Sequence, residues 1–112
     1  MTNPSRARGT AWEVKVVDFL QSRGHREVYR MAPGGIHDAG DVGGLADWAI
    51  EARDRAKISL AENCDDAVAR AREKKCRYGI AFIKRRGRPV TDAYVVMTAE
   101  TWADLLDELD RD

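Results

Sequence analysis

Two carboxylates ten residues apart, Asp41 and Glu51, are the groups of this chain whose type and setting best suit chemistry. Each falls in a stretch that reads as a strand, and a Gly43-Gly44 turn separates the two stretches, so the carboxylates can lie side by side at a sheet edge. A bare pair of buried carboxylates repels itself and takes up protons. A divalent cation removes that conflict, and hard oxygen donors suit Mg²⁺, with Mn²⁺ as a substitute. The backbone carbonyl of Ala52 adds a third oxygen next to Glu51. Such an ion orients a water, lowers its pKa and stabilises charge growing on phosphorus. Arg53 stands two residues after Glu51 and shares its face, where it would hold a scissile phosphate. It cannot serve as a general base, because a guanidinium stays protonated. On spacing alone the two acids are also compatible with ordinary surface residues.

The charge pattern points to a polyanionic substrate. Lysines plus arginines number 19, as do aspartates plus glutamates, for a net charge of zero. Residues 31–52 carry four acids (Asp38, Asp41, Asp47 and Glu51) and no Lys or Arg, whereas residues 53–88 carry twelve Lys/Arg against five acids. Residues 1–30 hold six Lys/Arg against three acids, and residues 89–112 hold one Arg against seven acids. An acidic island between basic blocks suits a cation site flanked by a phosphate-binding surface. The alternative is a set of solvated helix faces. The densest basic run, Lys84, Arg85, Arg86 and Arg88, reads as a loop at a strand end, a good position for phosphate contacts. Arg6 and Arg8 lie on a polar N-terminal stretch, while Arg70, Arg72, Lys74 and Lys75 read as a solvated helix face.

These groups need a scaffold. The 112 residues suit one domain, and 44% hydrophobic with 34% charged is ordinary globular composition. Residues 1–9 read as a flexible basic arm and residues 10–112 as the domain. Trp12, Val16, Val17, Phe19 and Leu20 predict a helix from Thr10 to Ser22, with Thr10 and Glu13 as a capping box and Gly24 as the stop. Strands are expected at Arg26–Met31, Asp41-Val42, Leu45–Arg53, Tyr78–Lys84 and Ala93–Met97, with Pro33-Gly34-Gly35 breaking the first. A second helix falls between Ile58 and Lys75, and an amphipathic one over Thr101–Leu109. The order α-β-β-β-α-β-β-α describes an α/β (α+β) fold, a mixed central sheet flanked by helices. Trp12, Trp48 and Trp102 sit at apolar-periodic positions and are expected in the core.

Several classes are disfavoured. The longest apolar runs are strand-sized, well short of the ~20 residues of a membrane span. The polar first ten residues do not read as a secretory signal. Cys64 and Cys76 form no CxxC, and His25 and His37 are isolated, so zinc is not expected and the thiols read as reduced, in a cytoplasmic protein.

Gly40-Asp41-Val42 followed by Ile50-Glu51-Ala52-Arg53 resembles the motif of the PD-(D/E)xK nucleases: an acid opening one strand and D/E-x-K on the next. The upstream helix with Glu13, the strand with Arg30, the Gly34-Gly35 loop and the downstream helix stand in the order of that superfamily. The likeness runs from about Arg8 to Trp102 and is nearest to small Holliday junction resolvases of archaea and actinobacterial phages. It implies a restriction-endonuclease-like core and an Mg²⁺-dependent endonuclease acting on four-way DNA junctions in recombination or replication. A phage origin and a homodimer, two sites for two cuts, come with it. Glu13 would join Asp41, Glu51 and the Ala52 carbonyl at the metal, and Arg6, Arg8, Arg30, Lys57, Lys84, Arg85, Arg86 and Arg88 would meet DNA.

The departure is Arg53, which stands where the motif has lysine. It keeps the charge and loses the titratable amine, which leaves Lys57 or Lys84 as candidates to supply one. Asp38, three residues before Asp41, is an alternative first carboxylate. Two other functions stay open: a nicking or repair nuclease of the same fold, and a DNA-binding module with weakened catalysis.

Overall fold

A computed structural model describes residues 3–31 and 41–111. The Pro33-Gly34-Gly35 breaker, His37, Asp38 and the first two residues of the expected arm lie outside them.

The first helix, α1, runs from Pro4 to Ser22 and so begins six residues before the expected start. Asn3 caps it, its side chain accepting from the Ser5 N–H at 2.9 Å, and Pro4 occupies the first helical position, where a missing N–H costs nothing. Arg6 and Arg8 therefore stand on helical turns, exposed, and not on a loose arm. The periodicity could not show this, because residues 4–9 have no partner surface to mark with apolar side chains.

Strands β1 (Tyr29–Arg30), β2 (Asp41–Gly43) and β3 (Trp48–Arg53) follow. Helix α2 (Leu60–Glu73) crosses to β4 (Tyr78–Ile83), and a short 3₁₀ turn at Val90–Asp92 precedes β5 (Tyr94–Val96) and helix α3 (Ala99–Leu109). The sheet order is β1-β2-β3-β4-β5, with β3 and β4 parallel and every other pair antiparallel. This is a mixed α+β architecture of one five-stranded sheet and three helices. The β2–β3 connection is longer than a two-residue turn, taking in residues 44–47 with positive φ at Gly44 (102°) and Asp47 (69°). A Cβ on Gly44 would overlap the Glu27 carbonyl, so glycine is needed there for conformation and space alike.

The two faces of the sheet differ. On one, Trp12, Val16 and Val17 of α1 pack against Val42, Ile50, Ala52, Ile80 and Phe82. The buried Trp12 indole donates Nε1–H to the Phe82 carbonyl at 3.0 Å, which keeps its polar atom satisfied. On the other face α2 lies close on the sheet through the small residues Ala67, Ala71, Gly79 and Ala81. Helix α3 sits by β4 with Thr101 buried, capped by the Thr98 hydroxyl. Its apolar stripe points outward: Trp102 is 55% exposed and Leu106 and Leu109 are exposed too. Trp12 is in the core as expected and Trp48 packs against it, but Trp102 is not a core residue. Among the described residues no helix is long and apolar enough to cross a membrane.

Gly79 sets the α2–sheet spacing, since a Cβ there would run into the Ala67 carbonyl. Gly79→Ala should destabilise the fold by about 1–3 kcal/mol, as overpacking does. Urea denaturation is the measurement, and an unchanged midpoint would show that α2 yields freely.

Candidate functional site

Antiparallel pairing of β2 with β3 sets Asp41 directly opposite Glu51. Along β3, Ile50 and Ala52 turn toward α1, so Glu51 turns toward α2, where it is 2% exposed. A carboxylate so placed is costly unless it is paired and hydrogen-bonded. Two arginines meet that need. Arg70, from α2, donates Nε–H to Oε1 at 3.1 Å, and Arg53 donates Nη1–H to Oε2 at 3.2 Å. The same Arg53 nitrogen donates to the Ala52 carbonyl at 3.1 Å. The two oxygens expected to hold a metal, Glu51 Oε2 and Ala52 O, thus converge on one cationic nitrogen. Each arginine also reaches an outer acid on α2: Arg53 Nη2 lies 3.7 Å from Asp66 Oδ2, and Arg70 Nη1 lies 3.3 Å from Glu73 Oε2.

Glu13 is placed elsewhere. Its carboxylate accepts from Arg30 Nε at 3.1 Å. Register sets Arg30 opposite Val42 and Val42 opposite Ile50, all on the α1 side of the sheet. Glu13 and Arg30 form a pair on the α1 face, and Glu51 with its arginines occupies the α2 face. Among the described residues no three His, Cys, Asp or Glu side chains form a metal-sized group.

The parallel pairing of β3 with β4 brings their C-terminal ends together, and a second buried acid stands there. Asp54, whose side chain is 1% exposed, accepts from Arg86 Nε at 2.9 Å, and Lys84 Nζ lies 3.7 Å from its other oxygen. That second oxygen, Oδ2, is buried without a hydrogen-bond partner. The rest of the basic loop is also tied down. The Arg85 guanidinium lies 4.9 Å from the centre of the Tyr94 ring, and Arg88 pairs with Asp92 at 3.0 Å. Lys84 also lies 6.0 Å from the Trp12 ring. Lysine 57 is exposed on the strand-to-helix connection. The loop is a set of cations in fixed places, most with one edge still open to solvent.

Sequence reasoning missed Asp54 and Arg70. Asp54 follows Arg53 and takes the opposite face, but its partners come from the loop after β4, thirty residues on, and no local pattern encodes that approach. Arg70 is three residues after the buried Ala67, at the edge of the apolar stripe of α2, and this is the signal that could have marked it. The thiols of Cys64 and Cys76 are both pushed up, chiefly by burial. Asp65 adds to the shift at Cys64; at Cys76, Lys74 offsets part of it and Asp47 adds to it.

No protein-family model, no characterised protein and no solved structure matches the chain.

Asp54→Asn keeps the shape and an acceptor for Arg86 but removes the charge between two cations. It should lower stability by about 1–3 kcal/mol in thermal or urea unfolding, and the loss should shrink as salt is added. No loss at low salt would mean that Asp54 does not hold the loop.

Proposed function

We propose that this chain is a metal-dependent DNA endonuclease of the PD-(D/E)xK type with a restriction-endonuclease-like core, acting on branched DNA and in particular on four-way junctions. The observation that carries the reading is the convergence of Glu51 Oε2 and the Ala52 carbonyl on one cationic nitrogen, in a strand whose Glu51 stands opposite Asp41. Residues directly opposite on antiparallel strands have Cβ atoms about 5 Å apart, a gap one cation can bridge. Further support comes from the order of elements: a helix, three antiparallel strands, a helical crossover and a parallel strand.

In this reading Asp41, Glu51 and the Ala52 carbonyl would hold Mg²⁺ or Mn²⁺, and the donor set suits a hard cation. The ion would supply an activated water and Lewis-acid stabilisation of the phosphorus centre. Arg53 binds the scissile phosphate and offsets its charge, and it moves no proton. Lys84 and Arg86, held by Asp54 at the ends of β3 and β4, bind flanking phosphates, as do Arg85, Arg88 and Lys57. Arg6 and Arg8, exposed on α1, add further phosphate contacts. Glu13, on the opposite face, holds Arg30 and takes no part in the metal set. Cutting a junction in both strands calls for two sites, hence a homodimer. The exposed stripe of Trp102, Leu106 and Leu109 on α3, the helix that sits by β4, is the surface that would bury itself in one.

A second reading is a DNA-binding module without catalysis. It is favoured by the fact that Glu51 Oε1, Glu51 Oε2 and the Ala52 carbonyl each already accept from an arginine.

Incubating the protein with a synthetic four-way junction and Mg²⁺ or Mn²⁺ separates the two. The nuclease reading expects paired nicks in opposite strands, lost in Asp41→Asn. A junction that is shifted on a gel but stays intact in both metals would leave the binding module. Substituting Lys84 or Arg86 by alanine should weaken binding to all sequences alike. Each should lower the slope of log K against log salt by about 1, and an unchanged slope would remove that residue from the interface.

A further inference from the structure

The arrangement around Glu51 goes beyond charge compensation. All three oxygens that would face a metal, apart from position 41, accept from arginine N–H groups: Arg53 Nη1 takes Oε2 and the Ala52 carbonyl, and Arg70 Nε takes Oε1. A dication would need the same oxygen lone pairs that these guanidinium N–H groups occupy, so metal and arginine compete for them. The arginines come from different elements, β3 and α2, and their side chains are 15% and 13% exposed, so both reach solvent. Each also has an outer acid within reach. Asp66 serves Arg53, Glu73 serves Arg70, and both acids are about half exposed. Asp66, Arg70 and Glu73 stand four and three residues apart, on one side of α2. Each guanidinium therefore has an inner anchor, Glu51, and an outer one.

We propose that Arg53 and Arg70 form a latch over Glu51 that stands in for the divalent cation, and that nucleic-acid phosphate opens it. Phosphate draws the guanidinium groups outward, where bidentate pairing favours it over a single carboxylate oxygen. Glu51 and the Ala52 carbonyl are then released to a metal. Metal and DNA therefore bind with positive coupling, and by linkage each tightens the other by the same factor. Arg70, which lies outside the D/E-x-K strand, is a positioning residue that sets metal affinity. The inference rests on the nuclease reading of the site.

The test measures Mn²⁺ binding to the full chain by calorimetry and by electron paramagnetic resonance, without DNA and with a short duplex in excess. Wild type should bind Mn²⁺ weakly alone and at least tenfold more tightly with the duplex. Arg70→Gln, which removes the charge and keeps one donor to Glu51, should bind tightly without DNA and gain little from it. Glu73→Gln alters an exposed side chain and takes away the outer anchor of Arg70. It should weaken DNA-free Mn²⁺ binding several-fold, which keeps the test decisive if Arg70→Gln melts early. The latch is overturned if Mn²⁺ binds wild type and both variants equally, or if the duplex leaves wild-type affinity unchanged. If no form binds Mn²⁺ with or without DNA, the nuclease reading itself falls, a result distinct from equal binding.

Discussion

The constraint on which the rest of this structure depends is a carboxylate buried between the sheet and α2. Glu51 is fixed on that side by the period of β3, because Ile50 and Ala52 must face the α1 core. An ionised carboxylate at that depth demands cations with directed donors, and Arg53 and Arg70 supply one N–H to each oxygen. The close approach of α2 follows from the same demand. Arg70 reaches Oε1 because Ala67, Ala71, Gly79 and Ala81 leave no bulk between helix and sheet. Small residues here serve to bring a charge into contact as much as to fill space.

The same principle operates a few residues on, on the opposite face. Asp54 is as deeply buried as Glu51 and is also met by two cations, Lys84 and Arg86. The parallel β3–β4 pair places both carboxylates toward one end of the sheet, with Arg53 of β3 and Arg70 of α2 on one side and the basic loop on the other. In a protein of zero net charge, these four cations are each tied to an internal carboxylate. A chain without such anchors would have to order those long side chains when it bound a polyanion, at an entropic cost of about 0.5–1.5 kcal/mol for each. Here much of that ordering comes with folding.

Much of the framework was legible in the sequence. Helical spacing of Trp12, Val16 and Val17 marked the α1 core, and a glycine turn between two strand-like runs set Asp41 against Glu51. What escaped shares one physical trait: it depends on contacts that no local period encodes. The start of α1 is fixed by the Asn3 cap and Pro4, not by an apolar stripe. Trp102 belongs to a stripe that reads as core, yet α3 turns Thr101 inward and leaves the tryptophan in solvent. Arg70 looked like part of a solvated helix face, because a long side chain at the border of an apolar stripe can turn either way. Glu13 matched the order of a motif, but order along the chain does not say which face of a sheet a helix will cover.

The residue at position 53 gathers these threads. A lysine there would present one compact ammonium on a flexible stem, able to lose its proton. Arginine presents a planar group with several donors, and this geometry lets one nitrogen hold Glu51 and the Ala52 carbonyl while another faces Asp66. Arginine at this position supplies electrostatic hold and no proton chemistry. In such a site both oxygens of the buried acid are held by charge-assisted hydrogen bonds from the chain itself.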